Sequence, residues 1–268
     1  MIDVIIFSKD RAAQLDLLLR SLILFPVNNI YVLCKSSNHD FRQGYVELKK
    51  NWSTVDFMPE YDFKHDILDT LNYMNTDNIL SLSDDCCFIK TVDMTNILKD
   101  FNKNVWGINL HLSESYNGLT EYTGSKKATL PSYTQDYDYM TWNWTENINN
   151  STWGYPAGVE GNIVRRKDYI DILKDGKFTQ PNEMEGWLSR NKNKLPPEMM
   201  CFMDYHLINI PVNRVQDVVQ NKFGLKHNIT AEELNNKFLQ GYRISTDNIY
   251  GLEVNNFYKE INFEFIKE

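Results

Sequence analysis

Two hydrophobic rhythms alternate along this chain. Residues 2–7 form a β-branched and aromatic run that suits a central parallel strand. Residues 12–24 then carry Leu15, Leu18, Leu19 and Leu22 at helical spacing, and Pro26 stops them. A second strand is predicted over 30–34, so residues 2–34 read as a βαβ unit with a right-handed crossover. The pattern continues with a helix over 41–51, a short strand over 54–58 and a helix over 62–74 capped by Asp62. A buried strand is expected over 79–82, a helix over 93–102 and a strand over 105–110. Beyond a long irregular stretch, a strand over 162–164 leads into the basic pair Arg165 and Arg166. Helices are expected from Tyr169 and from Pro181, and a strand over 199–202. Thr230 and Glu233 form a capping box for a helix ending at Gly241. Residues 248–266 alternate loosely and suit terminal strands or an extended tail.

This order defines an α/β fold: a Rossmann-like, mostly parallel central sheet with flanking helices, a long aromatic insertion and a C-terminal extension. We expect one main domain over 1–240, with a nucleotide-binding half over 1–110 and an acceptor half over 111–240. Residues 241–268 form the extension packed on it.

The chain has 268 residues, 42% of them hydrophobic, enough to fold around a core without disulfide or metal staples. Cys34, Cys86, Cys87 and Cys201 show no CxxC pair and no zinc-like spacing, so a reducing, cytoplasmic setting is expected. No apolar run is long enough to span a bilayer, and the first residues lack the basic region of a signal peptide. The net charge of −8 disfavours duplex nucleic acid as a partner.

The chemistry concentrates where the strand over 79–82 ends in Asp84 and Asp85. Side chains at the carboxyl end of a parallel strand enter the ligand crevice of α/β proteins. Adjacent carboxylates repel, and a hard divalent cation would relieve them. Alternatively the pair only caps the following turn. Ser8, Lys9, Asp10 and Arg11 follow the first strand, where Ser8 or Asp10 could cap the helix and the basic residues could meet an anion. Lys64 and His65 sit in a helix first turn, against the dipole, as a ligand site would require. Gly158 and Gly161 flank Glu160 and would let a ligand approach the backbone, or simply form a turn. Glu183 and Glu185 open the helix at Pro181, as dipole partners or as a general base. The stretch from Ser113 to Trp153 holds Tyr116, Tyr122, Tyr133, Tyr137, Tyr139, Trp142, Trp144 and Trp153, rings suited either to sugar faces or to core packing.

Four of these segments together resemble the nucleotide-sugar-dependent glycosyltransferases of the GT-A type, especially family 2-like bacterial or viral members. They are the opening strand with Ser8 to Arg11, the strand ending in Asp84-Asp85, the Gly158 to Arg166 segment, and the helix start at Pro181 to Glu185. Ser83 departs from a strict Asp-x-Asp motif. The resemblance, covering roughly residues 2–240, implies transfer of a sugar from a UDP- or GDP-sugar to a hydroxyl acceptor, such as a glycan, by single displacement with Mn2+ or Mg2+. It implies Asp85 as the main metal ligand with Asp84 nearer the ribose, and His206 as a further ligand with His227 as its rival. Ser8, Lys9, Arg11 and Lys64 would hold the nucleotide. Glu185 would be the base, with Glu183 and Glu160 as alternatives, and the aromatic stretch would shape the acceptor side. A non-catalytic carbohydrate-binding protein of the same fold and a nucleotidyltransferase are the rival readings; the absence of glycine between Ser8 and Ala13 weighs against the latter.

Overall fold

A computed structural model describes residues 1–116, 118, 128–149, 151–216 and 222–267. Tyr122 lies outside them. The first half runs β1 (Ile2–Lys9), α1 (Ala12–Ser21), β2 (Val27–Lys35), α2 (His39–Asn51), β3 (Val55–Pro59), α3 (Phe63–Tyr73), β4 (Asn78–Ser83), β5 (Cys86–Phe88), α4 (Ile97–Asp100) and β6 (Val105–Asn109). The second half adds β7 (Tyr133–Asp136), β8 (Tyr139–Asn143), β9 (Asn162–Arg165), α5 (Arg166–Leu173), α6 (Pro181–Arg190), β10 (Glu198–Phe202) and β11 (Leu207–Asn209). Then come α7 (Ala231–Leu239), β12 (Tyr242–Ile244) and β13 (Phe265–Lys267).

Nine strands join in the order β3-β2-β1-β4-β9-β6-β10-β8-β7. Strands β3, β2, β1 and β4 are mutually parallel, as are β6 and β10, while β9 and β8 run against their neighbours. The fold is therefore α/β with a mostly parallel central sheet and flanking helices. Strands β1 and β4 are the buried centre. Ile5, Ile6, Leu80 and Leu82 are fully enclosed, which is why these runs show no polar alternation. The one carboxylate in β1, Asp3, accepts hydrogen bonds from Asn28 and Asn29. Because β4 stops at Ser83, Asp84 and Asp85 emerge at the carboxyl end of the central strands.

Several local expectations change. The helix predicted over 93–102 is a single turn, Ile97–Asp100. Neither Ser8 nor Asp10 caps α1: Asp10 has left-handed backbone (φ 59°) and its Oδ1 accepts from the Ser37 amide. Strained non-glycine backbone of this kind collects at functional sites. Arg165 and Arg166 are structural, with guanidiniums donating to the carbonyls of Asn102 and Val105 and of Thr76 and Leu71. Gly161, at φ +71°, is required because a Cβ there would meet the His111 ring at 2.4 Å.

The aromatic stretch is largely core. Trp142, Trp144 and Trp153 are at most 2% exposed. The Trp142 indole N–H donates to the Trp153 carbonyl (2.9 Å) and that of Trp144 to the Pro196 carbonyl (2.7 Å). Trp142 meets Trp153 edge-on with centroids 5.0 Å apart. Trp142 and Trp144 therefore cannot present a face to a sugar. Trp142→Ala is expected to cost about 3–5 kcal/mol, read as a lowered urea midpoint. A loss of transfer at unchanged stability would contradict the core role.

Candidate functional site

The carboxyl ends of β1 and β4 build the floor of the site. Asp84, 3% exposed, is saturated by protein donors. Its Oδ2 accepts from Ser8 Oγ (2.9 Å) and the Lys9 amide (3.0 Å), and its Oδ1 from Arg11 Nη1 (3.0 Å). Burial still outweighs these partners and pushes its carboxyl up to about 6. Ser8 also shares a 2.6 Å hydrogen bond with the Tyr45 hydroxyl. The same Arg11 nitrogen reaches Asp85 Oδ2 at 3.1 Å. Arg11 donates further to Asn213, to Oδ1 at 2.8 Å and to the carbonyl at 2.7 Å. Lys9 Nζ donates to the Val215 carbonyl at 3.0 Å. Ser8, Lys9, Arg11 and Asp84 are thus brought together, with Arg11 clamping the aspartate pair. Lys64 is not among the cavity-lining residues.

Asp85, Cys86 and Glu160 converge so that one ligand atom from each lies within 4.8 Å of the others. Ser83, the residue that breaks the Asp-x-Asp pattern, sits between the carboxylates. Its Oγ lies 2.6 Å from Asp85 Oδ1 and close against Glu160 Oε2. Burial, then the charge of Asp85, pushes the Glu160 carboxyl up to about 7. The Cys86 thiol is pushed well above its ordinary value by burial and stays protonated, making it a poor ligand for a hard cation. Asn209 closes the cluster: its Nδ2 donates to Asp85 Oδ1 at 3.4 Å, while its Oδ1 is buried without a hydrogen-bond partner. Two repelling carboxylates and an orphaned amide oxygen make an oxygen donor set that fits Mg2+ or Mn2+.

His206 stands outside this cluster. It packs edge-on against Phe202 at 4.7 Å, and burial lowers its ring below the usual histidine range. His227 meets Glu260 through its backbone amide (2.7 Å). Neither lines a cavity at the aspartates.

Two cavities meet here. The larger, about 440 Å³, runs over Ser8, Lys9, Arg11, Lys35, Glu60, Asp84, Asp85 and the basic residues Arg214 and Lys222. The smaller, about 360 Å³, is walled by His111, Tyr116, Thr152, Tyr155, Gly158 and Phe257. Val159, Glu160, Glu185 and Tyr258 line both. Glu185 projects from the first turns of α6, is raised above the usual carboxylate range by burial, and is hydrogen-bonded to Tyr155. Glu183, two positions earlier, turns away and caps its own helix. It accepts from the Thr179 amide (2.8 Å) and hydroxyl (2.9 Å), which lowers its carboxyl. The sequence reading passed over Tyr155, Asn209, Asn213 and Tyr258 because no local pattern marks them; only tertiary contact brings them in.

No protein-family model matches the chain. Over 254 residues, 82% of the chain, it is 24% identical to a bifunctional glycosyltransferase, pgtA, of Dictyostelium discoideum. The chain spans about a third of that relative's length, 33%. Among solved structures, S. aureus TarS residues 1–349 matches 77% of this chain and 59% of its own at 14% identity and a TM-score of 0.48. A nucleotidyl transferase from Methanothermobacter thermautotroptrophicus matches 75% and 86% at 9% identity and a TM-score of 0.43. A mannosyltransferase from Pyrobaculum calidifontis, in complex with GDP-Man and Mn2+, matches 42% and 36% at 10% identity and a TM-score of 0.34. Backbone overlap of this order does not separate sugar transfer from nucleotidyl transfer. The class of protein to which this chain is similar in sequence is the glycosyltransferase, and a particular relative of that class is the Dictyostelium enzyme.

The Glu160 carboxyl, raised from 4.5 to about 7, binds its proton more tightly in the folded chain than in the unfolded one. Stability therefore falls as pH rises through that window. Glu160→Gln should flatten the fall, measured as urea midpoints at pH 5 and pH 7.5 without divalent cation. An unchanged pH dependence in the variant would refute the cluster's electrostatics.

Proposed function

We propose that the chain transfers a sugar from a nucleotide-sugar donor to a hydroxyl acceptor, such as a glycan. One observation carries this reading: a cavity lined by both basic and acidic side chains and a cavity with aromatic walls meet at two raised carboxylates, Glu160 and Glu185. The larger cavity takes the donor. Lys9, Arg214 and Lys222 set cations among its carboxylates, where a diphosphate could meet them. The smaller cavity takes the acceptor, and its Tyr155, Phe257 and Tyr258 rings suit sugar faces. Tyr116 and Trp153 are what the sequence's aromatic stretch contributes here, Tyr116 as wall and Trp153 as its edge-on support at 5.9 Å.

Asp85, Glu160 and Asn209 would hold Mn2+ or Mg2+. When bound, the cation neutralises charge on the diphosphate leaving group. Arg11 keeps Asp84 and Asp85 in register, and Asp84 orients Ser8 and the Lys9 amide. Glu185 accepts the proton of the acceptor hydroxyl as its oxygen bonds to the anomeric carbon and the bond to the diphosphate oxygen breaks. The raised carboxyl of Glu185 makes it a stronger base than an exposed glutamate, and Tyr155 fixes its orientation.

This reading treats residues 1–110 as the nucleotide half, 111–240 as the acceptor half, and 241–268 as an extension that delivers Phe257 and Tyr258 to the shared wall. Among the described residues no helix is long and apolar enough to cross a membrane. Cys34, Cys86, Cys87 and Cys201 are all free thiols, in keeping with the reducing, cytoplasmic setting we propose.

Glu185→Gln should lower transfer roughly a hundredfold to ten-thousandfold with donor affinity nearly unchanged, because the amide keeps shape but cannot take a proton. Glu183→Gln should leave turnover within a few-fold. The assay is turnover with Mn2+ over a panel of UDP- and GDP-sugars and saccharide acceptors, beside donor dissociation constants. A crippled Glu183→Gln with an active Glu185→Gln would sink the base assignment. Nucleotidyl transfer from a nucleoside triphosphate onto a sugar phosphate, with no sugar transfer, would replace the whole reading.

Asp85→Ala should abolish Mn2+-dependent binding of UDP and GDP in calorimetric titration while the melting temperature holds or rises, since a repelling charge is removed. Unaltered metal-dependent affinity would show that the cation sits elsewhere.

A further inference from the structure

We propose that the ion pair Lys35–Glu60 reads the nucleobase of the donor and selects guanine, a proposal that rests on the larger cavity being the nucleotide site. Lys35 ends β2 and Glu60 directly follows β3, and both line that cavity. The sheet order β3-β2-β1-β4 puts three strand spacings between Glu60 and the aspartate strand. At about 4.8 Å each they span about 14 Å, the length scale of a nucleoside diphosphate. With the diphosphate at Asp85, the base falls at the ends of β2 and β3.

The chemistry of the pair is directional. Lys35 Nζ donates to Glu60 Oε1 at 2.8 Å, placing a cationic donor directly beside a two-oxygen acceptor. The Glu60 side chain is 9% exposed and that of Lys35 is 48% exposed. Among the described residues no other hydrogen bond to the Glu60 carboxylate is found, which leaves this cavity-lining residue with acceptor capacity at Oε2. Guanine presents O6, N1–H and N2–H in a row on one edge. Lys35 donates to O6, and the two Glu60 oxygens accept from N1–H and N2–H in the bidentate manner carboxylates favour. Uracil offers a single N–H flanked by two carbonyls, so one carboxylate oxygen would face another acceptor. Adenine and cytosine set an amino group beside an unprotonated ring nitrogen, with the same conflict. A carboxylate oxygen forced against an acceptor loses its hydration and gains nothing.

The test is calorimetric titration of the whole chain with GDP, IDP and UDP in the presence of Mn2+. IDP differs from GDP only in lacking the N2 amino group. GDP should bind about ten- to a hundredfold more tightly than IDP or UDP, the discrimination typical of one good bidentate base contact. Glu60→Gln should erase the GDP-over-IDP margin. Lys35→Met should weaken GDP and IDP alike. A partly exposed ion pair adds little to stability, so both variants should fold. UDP binding as tightly as GDP, or a GDP-over-IDP margin that survives Glu60→Gln, overturns the base-reading assignment and leaves the nucleotide site standing. Absence of binding for all three nucleotides overturns the nucleotide site, and this proposal with it.

Discussion

Like charge held at close quarters is the constraint around which the site is built. Asp84, Asp85 and Glu160 gather at the end of β4, where burial has already raised two of them. Carboxylates buried this way persist only with compensation. Arg11 provides it, at 3.0 Å from Asp84 and 3.1 Å from Asp85, and is itself 8% exposed. Its remaining donors go to Asn213, so the loop after β11 is tied to the opening strand through one guanidinium. The repulsion that remains falls between Asp85 and Glu160, beside Asn209, whose amide oxygen has no hydrogen-bond partner. The folded chain thus stores at that point an electrostatic demand that a divalent ion would meet.

Much of the fold was legible because it is written locally. The uninterrupted apolar runs of β1 and β4 follow from burial on both faces. Asp62 caps α3 by accepting from the His65 amide, and Thr230 with Glu233 forms the capping box of α7, both as their spacing announces. Antiparallel β9 between β4 and β6, and the pairing of β5 with β11, were not legible, because strand order is set by contacts between distant segments. The tryptophans were ambiguous for a related reason: a ring's identity does not say whether its indole N–H will find a carbonyl in the interior, and here it does.

The site divided along the same line. Residues in short motifs, Ser8 to Arg11 and Ser83 to Asp85, were named from the chain. Those that complete the walls come from afar. Asn209 exchanges backbone hydrogen bonds with Phe257 and Lys259, which fastens the C-terminal segment against the carboxylate cluster and sets Tyr258 between the cavities. Glu260, buried, accepts from the amides of Leu225, Lys226 and His227 at 2.5–2.7 Å. One segment is therefore stapled both to β11 and to the chain beside the larger cavity, although the loose alternation of residues 248–266 does not mark it.

Glu160 and Glu185 line the same junction, yet their surroundings differ, and on the proposed function that difference suits them to different work. Environment separates paired carboxylates into roles, and the partners of each are what to compare. Glu160 faces Asp85 across Ser83, so its charge is opposed by another anion and its natural counterpart is a proton or a cation. Glu185 faces Tyr155, a neutral donor in the smaller cavity, and burial alone raises it. A group whose charge is opposed only by desolvation can take a proton from an arriving hydroxyl without displacing a metal. A group that held the proposed cation could not. The helix geometry completes the separation, since Glu183 is two residues from Glu185, about 200° around the helix, and is spent on the cap. Of the three glutamates only Glu185 is both buried at the junction and unclaimed by charge.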